Sequence, residues 1–288
     1  MDYAVIVIIE LLRGVAGLVL IATGLAIIFG MMRIINIAHG EFLMMGGYTV
    51  VLSTKAGVNI WISILVLAPL VVGAVGILME RTIIRFLYGR LLDSLLATWG
   101  LSLFLIGFVT VVFGNTVEGV ATPFGGVAIG EYSVAIYSLV LIIAAACFLG
   151  SAYVGLRYTK YGLIARATMQ NPGMSEALGV NSSRVYMITF GIGAAFSGLA
   201  GGLLAPISGV VPSMGVNFIG QAFITVVTGG ASVVTGTLSA AGILGSISQS
   251  VTFATSPVYG DAMLLFVALV LLRILPQGIT GRIFTRSI

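Results

Sequence analysis

A chain of 288 residues in which 59% are hydrophobic and only 8% are charged, with a mean hydropathy of +1.18, is too apolar for a soluble domain. Soluble domains carry about 25% charged residues, so composition predicts an all-α, polytopic membrane protein. The net charge of +4 does not indicate nucleic-acid binding, because Lys and Arg lie in short clusters between apolar stretches without an aromatic-basic stripe. Cys147 is the single cysteine and His39 the single histidine, so neither a disulfide nor a metal site is expected.

The first apolar stretches are interrupted by charged residues. Residues 3–12 include Glu10 and are followed by Arg13. Because a crossing needs about 20 residues, this stretch is predicted to be an interfacial lead-in helix that is retained rather than cleaved as a signal peptide. Residues 14–32 form the first predicted span. The next uncharged segment, residues 42–54, is short and follows polar groups, which predicts a broken helix.

The rest of the chain is divided by basic and acidic loops. The positive-inside bias places the loop with Arg81, Arg85 and Arg90 in the cytoplasm, and residues 115–131, with acids but no Lys or Arg, outside. Because successive loops must alternate between the two sides of the membrane, these assignments give nine crossings, with the amino terminus outside and the carboxyl terminus inside. The count is eight if one of the short apolar segments does not cross. We therefore predict a single transmembrane domain, residues 1–288, with eight to nine helices that include broken or re-entrant segments. The further predicted spans are residues 56–79, 94–113, 132–156, 185–205, 216–227, 238–253 and 262–275.

The longest polar interlude covers residues 157–184 and carries four basic side chains against one carboxylate, that of Glu176. The positive-inside bias places this loop in the cytoplasm. Its inner half, residues 164–178, contains good helix formers around Asn171-Pro172-Gly173, which predicts two short helical pieces joined by a break. From the residues alone, the loop is either a docking surface or an ordinary solvated loop.

Polar side chains near bilayer depth are costly and are therefore functional candidates. Asn36, His39 and Glu41 form one such group, although Glu41 could simply pair with Arg33 at a helix break. A second group within one apolar span could line a polar pathway or merely pack helices together: Thr98, Trp99 and Ser102. No phosphate-binding loop, metal-ligand cluster or serine elbow is present in the sequence, so we predict that the chain is not an enzyme. Energy for transport would come from a partner or from a gradient.

Several stretches carry a family resemblance. The stretch GLAIIFGMMRIINIAHGEFLMMGGY at residues 24–48 resembles the signature of permease subunits of ABC importers of the branched-chain amino acid class, which share an INxAHGE pattern. The polar interlude resembles the loop by which these permeases dock their ATPases, and FITVVTGGASVVTGTLSAAGILG and LLRILPQGITGR also match. The stretch ERTIIRFLYGRLLDSLLATWGLSL is most similar to the urea-transporting permeases of the class. Where the family usually reads GGxGS, Ser232 replaces a glycine.

The resemblance implies a multi-pass permease subunit in a bacterial cytoplasmic membrane. It would work with a homologous permease subunit, two cytoplasmic ATPase subunits and an extracytoplasmic solute-binding protein. The ATPases would use ATP, and this chain would bind no cofactor. The expected translocation path contains Asn36, His39, Glu41, Thr98, Trp99 and Ser102. The expected ATPase coupling loop contains Gly162, Arg166, Asn171, Pro172, Glu176, Ala177 and Gly179.

Two other classes of transporter stay open at this stage. A gradient-driven transporter would need intramembrane carboxylates, and the sequence offers essentially Glu41 and Asp261. A passive channel for small neutral amides would not need a patterned cytoplasmic helix. The sequence also leaves open whether the solute is a branched-chain amino acid, urea or another amide, and whether the permease partner is a second copy of this chain.

Overall fold

Helices make up 82% of the computed structural model, which describes residues 2–129, 132–230 and 232–284. The chain also contains a π-helical turn (Ser63–Leu67), a 3-10 turn (Ile84–Leu87) and a hairpin in which β1 (Gly126–Ile129) pairs antiparallel with β2 (Tyr132–Ala135). The all-α membrane class is confirmed, with one hairpin added. The helices are α1 (Asp2–Met32), α2 (His39–Lys55), α3 (Ile60–Ile62), α4 (Ala68–Thr82), α5 (Leu91–Phe113), α6 (Ile136–Tyr158), α7 (Lys160–Gln170), α8 (Pro172–Ala177), α9 (Ser182–Ser208), α10 (Met214–Gly229), α11 (Val233–Ala254), α12 (Pro257–Ile274) and α13 (Gly278–Phe284).

The number of spans is lower than predicted when only length and apolarity are considered. Within the described residues, α10 and α11 are bent by 114° across a short break and make a seventh span if they are one broken crossing. Residue 231, in that break, lies outside the described residues. The predicted eight to nine crossings are not confirmed by this count. The other six candidate spans are Ala4–Met32, Ile60–Thr82, Leu91–Phe113, Ile136–Tyr158, Ser182–Ser208 and Pro257–Gly281.

The predicted boundary between a lead-in helix and the first span is wrong, because α1 runs without interruption from Asp2 to Met32. Arg13 Nη2 lies 2.6 Å from Glu10 Oε2, one helical turn away. The same carboxylate oxygen accepts a hydrogen bond from Gln249 Nε2 at 3.3 Å. Because the two charges neutralise each other along the helix and a polar partner reaches them from α11, they do not end the helix.

The segment predicted as an external loop followed directly by a span contains the hairpin instead. Val127 pairs with Val134, and residues of β2 that were assigned to the start of a span are extended. Helix α6 therefore begins at Ile136, four residues later than predicted. β-Branched or aromatic residues alternate with smaller ones along both strands, which favours extended backbone. Residues 130 and 131, at the end of the predicted loop, lie outside the described residues.

The chain forms two compact units. The larger unit contains Thr23–Val120 and Gly150–Gly220, and the smaller unit contains Met1–Ala22, Ala121–Leu149 and Gln221–Ile288. In the smaller unit, α11 packs against α12, and Gln221 Nε2 donates to Asp261 Oδ1 at 2.9 Å. The second carboxylate considered for gradient coupling therefore has a hydrogen-bond partner in this unit.

Helix α9 is the centre of the larger unit and packs against both α2 and α4. The ring of Phe42 meets that of Phe190 edge to face, with centroids 5.9 Å apart. Glycines allow the backbones to approach closely: a Cβ atom on Gly46 would overlap the carbonyl of Gly198, and one on Gly201 would overlap that of Leu43. Such small-residue contacts are the usual way in which helices associate in lipid, where there is no hydrophobic force between them.

The two ends of the larger unit differ in charge. At one end, Arg33, Arg90 and Gln170 line a single cavity, so the end of the first predicted span and the two loops that the sequence placed in the cytoplasm lie together. Lys55, at the far end of α2, forms an ion pair with Glu118 instead. The larger unit therefore has a basic end, defined by that cavity, and an opposite end, defined by the Lys55–Glu118 pair.

Candidate functional site

The connection between α1 and α2, residues 33–38, is held in place by a hydroxyl group of α5. Helix α1 ends at Met32, and the N–H of the next residue, Arg33, still bonds to the carbonyl of Phe29 at 2.9 Å. Thr98 Oγ1 accepts a hydrogen bond from the N–H of Ile37 at 3.1 Å and lies 3.2 Å from the carbonyl oxygen of Ile35. Because one threonine contacts both a donor and an acceptor of the connection, the position of this segment depends on α5.

The first turn of α2 is tied to two other helices by buried polar side chains. Ser102 of α5 donates a hydrogen bond to Glu41 Oε1 at 2.9 Å. Nδ1 of His39 lies 3.2 Å from Ser197 Oγ of α9, and the same hydroxyl lies 2.9 Å from the carbonyl oxygen of Gly193. His39 and Glu41 are both fully buried. We call His39, Glu41, Thr98, Ser102 and Ser197 the polar cluster.

Two side chains beside these contacts keep unused hydrogen-bonding atoms. Asn36 is 1% exposed, and neither its amide nitrogen nor its amide oxygen has a partner among the described residues. Glu41 Oε2 is likewise buried without a partner. Leaving such a group unpaired costs about 1–3 kcal/mol. The amide of Asn36 and the second carboxylate oxygen of Glu41 can therefore each form further hydrogen bonds.

Two expectations for this region differ from the observed geometry. Arg33 is exposed, and the carboxylate of Glu41 contacts Ser102 rather than Arg33. Trp99 is 52% exposed, so it does not join Thr98 and Ser102, which are buried. The structure thus brings Asn36, His39, Glu41, Thr98 and Ser102 into one region and leaves Trp99 on the outer surface of α5.

The predicted break in the polar loop is present between α7 and α8. Asn171 ends α7, and its side-chain oxygen accepts a hydrogen bond from the N–H of Met174 at 3.0 Å, which begins α8. Pro172 occupies the first helical position, where its missing N–H removes no helical hydrogen bond. Thr159 caps α7 in the same way by accepting from the N–H of Gly162 at 2.9 Å. Both short helices therefore have fixed beginnings.

The α7–α8 pair is anchored to the membrane helices at its start. The Tyr161 hydroxyl lies 2.9 Å from the carbonyl oxygen of Val185 and 2.9 Å from Thr189 Oγ1, both in α9. Burial raises the pKa of Tyr161, so the hydroxyl stays protonated and can donate. A Cβ atom on Gly162 would overlap the carbonyl oxygens of Gly155 and Leu156 at the end of α6. The loop is therefore packed closely on α6 and α9.

The exposed side of the α7–α8 pair carries several large apolar side chains. Leu163, Met174 and Leu178 are 62%, 61% and 79% exposed, although Ala165 and Ser175 are buried on the inner side. Exposed apolar side chains grouped in this way typically mark a contact surface. Of the residues predicted for coupling, Gly162 is buried, and the others lie at the surface: Arg166, Asn171, Pro172, Glu176, Ala177 and Gly179.

Sequence reasoning missed Ser197 and the glycine that faces the cluster. Ser197 lies in a run of small residues, where a hydroxyl group is most simply explained by helix packing. A Cβ atom on Gly215 would come within 2.5 Å of Glu41 Oε2, so this glycine leaves space for the carboxylate. The only available signal was the location of Ser197 in a helix with many glycines.

The sequence is similar to a family of membrane permeases. A family model described as the permease component of branched-chain amino acid transport systems matches residues 7–273. The chain is 30% identical over 279 residues to the high-affinity branched-chain amino acid transport system permease protein LivH of Salmonella typhimurium, covering 91% of each chain. It is 28% identical over 287 residues to the corresponding protein BraD of Pseudomonas aeruginosa, again covering 91% of each.

A more distant relative extends this similarity to an archaeon. The chain is 26% identical over 280 residues to the probable branched-chain amino acid transport permease protein LivH of Methanocaldococcus jannaschii. The alignment covers 92% of this chain and 88% of the relative. No solved structure matches the chain significantly.

Proposed function

The chain belongs to the family of permease components of branched-chain amino acid transport systems, and we propose that it is the membrane-spanning subunit of an ATP-driven importer for branched-chain amino acids. The observation that carries the proposal is the family match over residues 7–273, which includes both the polar cluster and the α7–α8 pair. The names of the relatives LivH and BraD supply the proposed solute class.

The importer is proposed to contain four kinds of subunit. This chain and a homologous permease enclose the solute path, and two ATPase subunits bind on the cytoplasmic side. An extracytoplasmic binding protein delivers the solute. The exposed apolar side chains of α7–α8 support the ATPase contact, because a surface of this kind is expected where another protein docks.

The proposed coupling route follows contacts within the larger unit. A movement of α7 reaches α9 through the contacts of Tyr161 with Val185 and Thr189. Ser197 lies two helical turns farther along α9, about 12 Å at 1.5 Å per residue, and contacts His39. The movement then reaches the first turn of α2 and, through Glu41, α5. Capped helices and backbone-to-backbone packing favour a rigid-body displacement over bending.

Urea or a short-chain amide is a second candidate solute. It is favoured by the resemblance of residues 80–103 to urea-transporting permeases and by Asn36, whose amide could pair with that of the solute. Uptake of radiolabelled leucine and urea by the same reconstituted transporter distinguishes the two. Uptake of urea alone would remove the amino acid proposal while leaving the permease role intact.

The ATPase contact is tested by substitutions on the α7–α8 pair. Ala177→Arg and Glu176→Lys should abolish solute-stimulated ATP hydrolysis and ATPase co-purification, because a disrupted interface anchor costs about 2 kcal/mol, or about 30-fold in affinity. The permease should keep its thermal midpoint, since both side chains are exposed. Val117→Arg, on an exposed residue near the opposite end, is the matched control and should retain co-purification. Coupled hydrolysis at the wild-type rate in several such variants would contradict the assignment.

The energy source is tested with the same preparation. Uptake into liposomes should require the ATPase subunits and ATP. A gradient-driven transporter or a channel would carry solute with the permease alone, so uptake without the ATPase subunits would overturn the proposed mechanism.

A further inference from the structure

A cavity of about 410 Å³ opens at the basic end of the larger unit. Its walls come from the end of α1, the segment before α5, the end of α7 and the start of α9. We call it the arginine cavity, and the residues that matter for its chemistry are Arg33, Arg90, Met169, Gln170 and Tyr186. Its volume lies within the range of about 300–1,000 Å³ that small-ligand sites usually have.

Arg33 occupies a backbone conformation that arginine rarely adopts. Its φ of 51° makes it the one non-glycine residue with positive φ in the described part of the chain. A glycine is the usual residue where a helix ends in this conformation. Arg33 is exposed, and no carboxylate of the described residues forms an ion pair with it. Strained backbone conformations occur preferentially at functional sites, so the position of Arg33 at the wall of a cavity indicates that its side chain has a function there.

Arg90 supplies a second guanidinium group to the same cavity. Its Nη1 lies 3.8 Å from Asp93 Oδ2, and the two side chains are 71% and 56% exposed. An exposed ion pair at this distance contributes little, so a stronger anionic ligand can displace Asp93. Glu80, another acid close to this segment, accepts a hydrogen bond from Tyr88 and is buried. Two cations of the cavity are therefore available to an anion.

We propose that the arginine cavity binds an anionic phosphate group. Guanidinium groups bind phosphate oxygens through paired N–H donors, which makes Arg33 and Arg90 suited to this chemistry. The ring of Tyr186, tilted by 56° against that of Tyr88 with the centroids 4.9 Å apart, forms one wall, and Gln170 adds an uncharged polar group. The phosphate group belongs either to a lipid headgroup, since basic segments attract anionic lipids at the cytoplasmic surface, or to free phosphate.

Occupation of the cavity would also affect the α7–α8 pair. Met169 and Gln170 are the last residues of α7, immediately before the break at Asn171. A phosphate group bound between them and Arg90 links the end of α7 to the segment before α5. The ligand would then stabilise one position of α7–α8 and alter coupled ATP hydrolysis. This second step rests on the proposed function, whereas binding itself does not.

Binding is tested on the delipidated full-length transporter with two probes. Phosphatidylglycerol retained by the protein is counted by mass spectrometry against phosphatidylcholine, and inorganic phosphate is tested for a shift of the thermal midpoint against chloride at equal ionic strength. The Arg33→Gln/Arg90→Gln double variant should bind whichever probe the wild type binds about 25-fold more weakly, from about fivefold for each basic side chain. Arg85→Gln is the matched control, because Arg85 is exposed on the same segment without lining the cavity.

Each outcome either identifies the source of the phosphate group or rejects the proposed site. Loss of phosphatidylglycerol retention only in the double variant assigns a lipid headgroup. Loss of the phosphate-induced shift without any lipid difference assigns free phosphate. Equal binding of both probes by the wild type and the double variant, or equal weakening by Arg85→Gln, overturns the proposal. A change in ATP hydrolysis is measured separately in proteoliposomes, so its failure rejects only the link to coupling.

Discussion

Glu41 joins two helices through one carboxylate that uses only half of its hydrogen-bonding capacity. Oε1 accepts from Ser102 of α5, and Oε2 lies unpaired beside Gly215. Glu41 lies in the first turn of α2, where the partial positive charge of the helix N-terminus is favourable for a negative charge. The carboxylate therefore has a structural role through Oε1 and a free acceptor in Oε2.

Glu41→Gln should retain substantial transport, and Glu41→Ala should lose much of it. The glutamine side chain keeps the shape and an oxygen that can accept from Ser102, whereas alanine leaves that hydroxyl unpaired at a cost of about 1–3 kcal/mol. Uptake by wild type and both variants should be measured from about pH 5 to about pH 8. An ordinary glutamate is already ionised over this range, so a titration of uptake there would indicate a functional buried carboxylate. Ser102→Ala is the matched control and should resemble Glu41→Ala if this bond matters. An inactive glutamine variant, with wild-type uptake that follows one titration, would favour gradient coupling.

The sequence predicted most of the polar cluster but not its pairing. Ionisable and amide groups in an apolar chain are conspicuous, which is why His39 and Glu41 of the cluster, and Asn36 beside it, could be selected. Their partners are distant: Ser102 follows Glu41 by 61 residues and Ser197 follows His39 by 158. Only the packing of α2 between other helices determines which hydroxyl groups meet these side chains, so no local pattern could identify them.

At the scale of helices, α2 and α9 touch through backbone atoms. Gly46 faces Gly198, and Gly201 faces Leu43, with no room for a Cβ atom at either glycine. The same close approach brings Ser197 within reach of His39. The geometry of the polar cluster therefore depends on these glycine contacts.

Gly46→Ala should destabilise the permease by about 1–3 kcal/mol, because the added methyl group forces the two helices apart. Gly100→Ala is the matched control, since nothing lies within 4 Å of a Cβ atom at that position of α5. Alanine favours a helix over glycine by about 1 kcal/mol, so the control should keep or raise the thermal midpoint. Comparable midpoints for the two variants would show that the α2–α9 contact does not limit stability.

Structural elements that local sequence determines could be predicted, whereas those that depend on contacts with distant residues could not. The break at Asn171-Pro172-Gly173 follows from an asparagine cap and a proline that starts the next helix, and both are local. The continuity of α1 depends on Gln249 as well as on the pairing of Glu10 with Arg13. The hairpin was missed because its strands are short and lie within a segment with glycines and acids, which resembles an ordinary external loop.

At the scale of the larger unit, α2 determines the number of crossings. Arg33, before α2, and Arg90, after α4, line the same cavity, so the chain must leave and return between them. Helix α2 has 17 residues, about 25 Å at 1.5 Å per residue, and ends at Lys55, which pairs with Glu118 beyond α5. Most of its residues are buried by protein, so a length below the thickness of the hydrocarbon core does not expose its ends to lipid.

We therefore expect α2 to cross the membrane, which adds one crossing to those found by length and apolarity. The test places single cysteines in a Cys147→Ser background at exposed positions: Ala56 after α2, Phe86 before α5, Val117 after α5 and Leu163 in α7. A membrane-impermeant maleimide applied from outside should label the cysteines at 56 and 117 but not those at 86 and 163, and inverted vesicles should give the reverse. Positions 117 and 163 serve as the side markers, because α5 lies between positions 86 and 117 and α6 lies between positions 117 and 163. Arg33, before α2, lines the same cavity as the segment that follows position 86. Labelling of positions 56 and 86 from the same side would therefore place both ends of α2 on one face of the membrane and contradict the crossing.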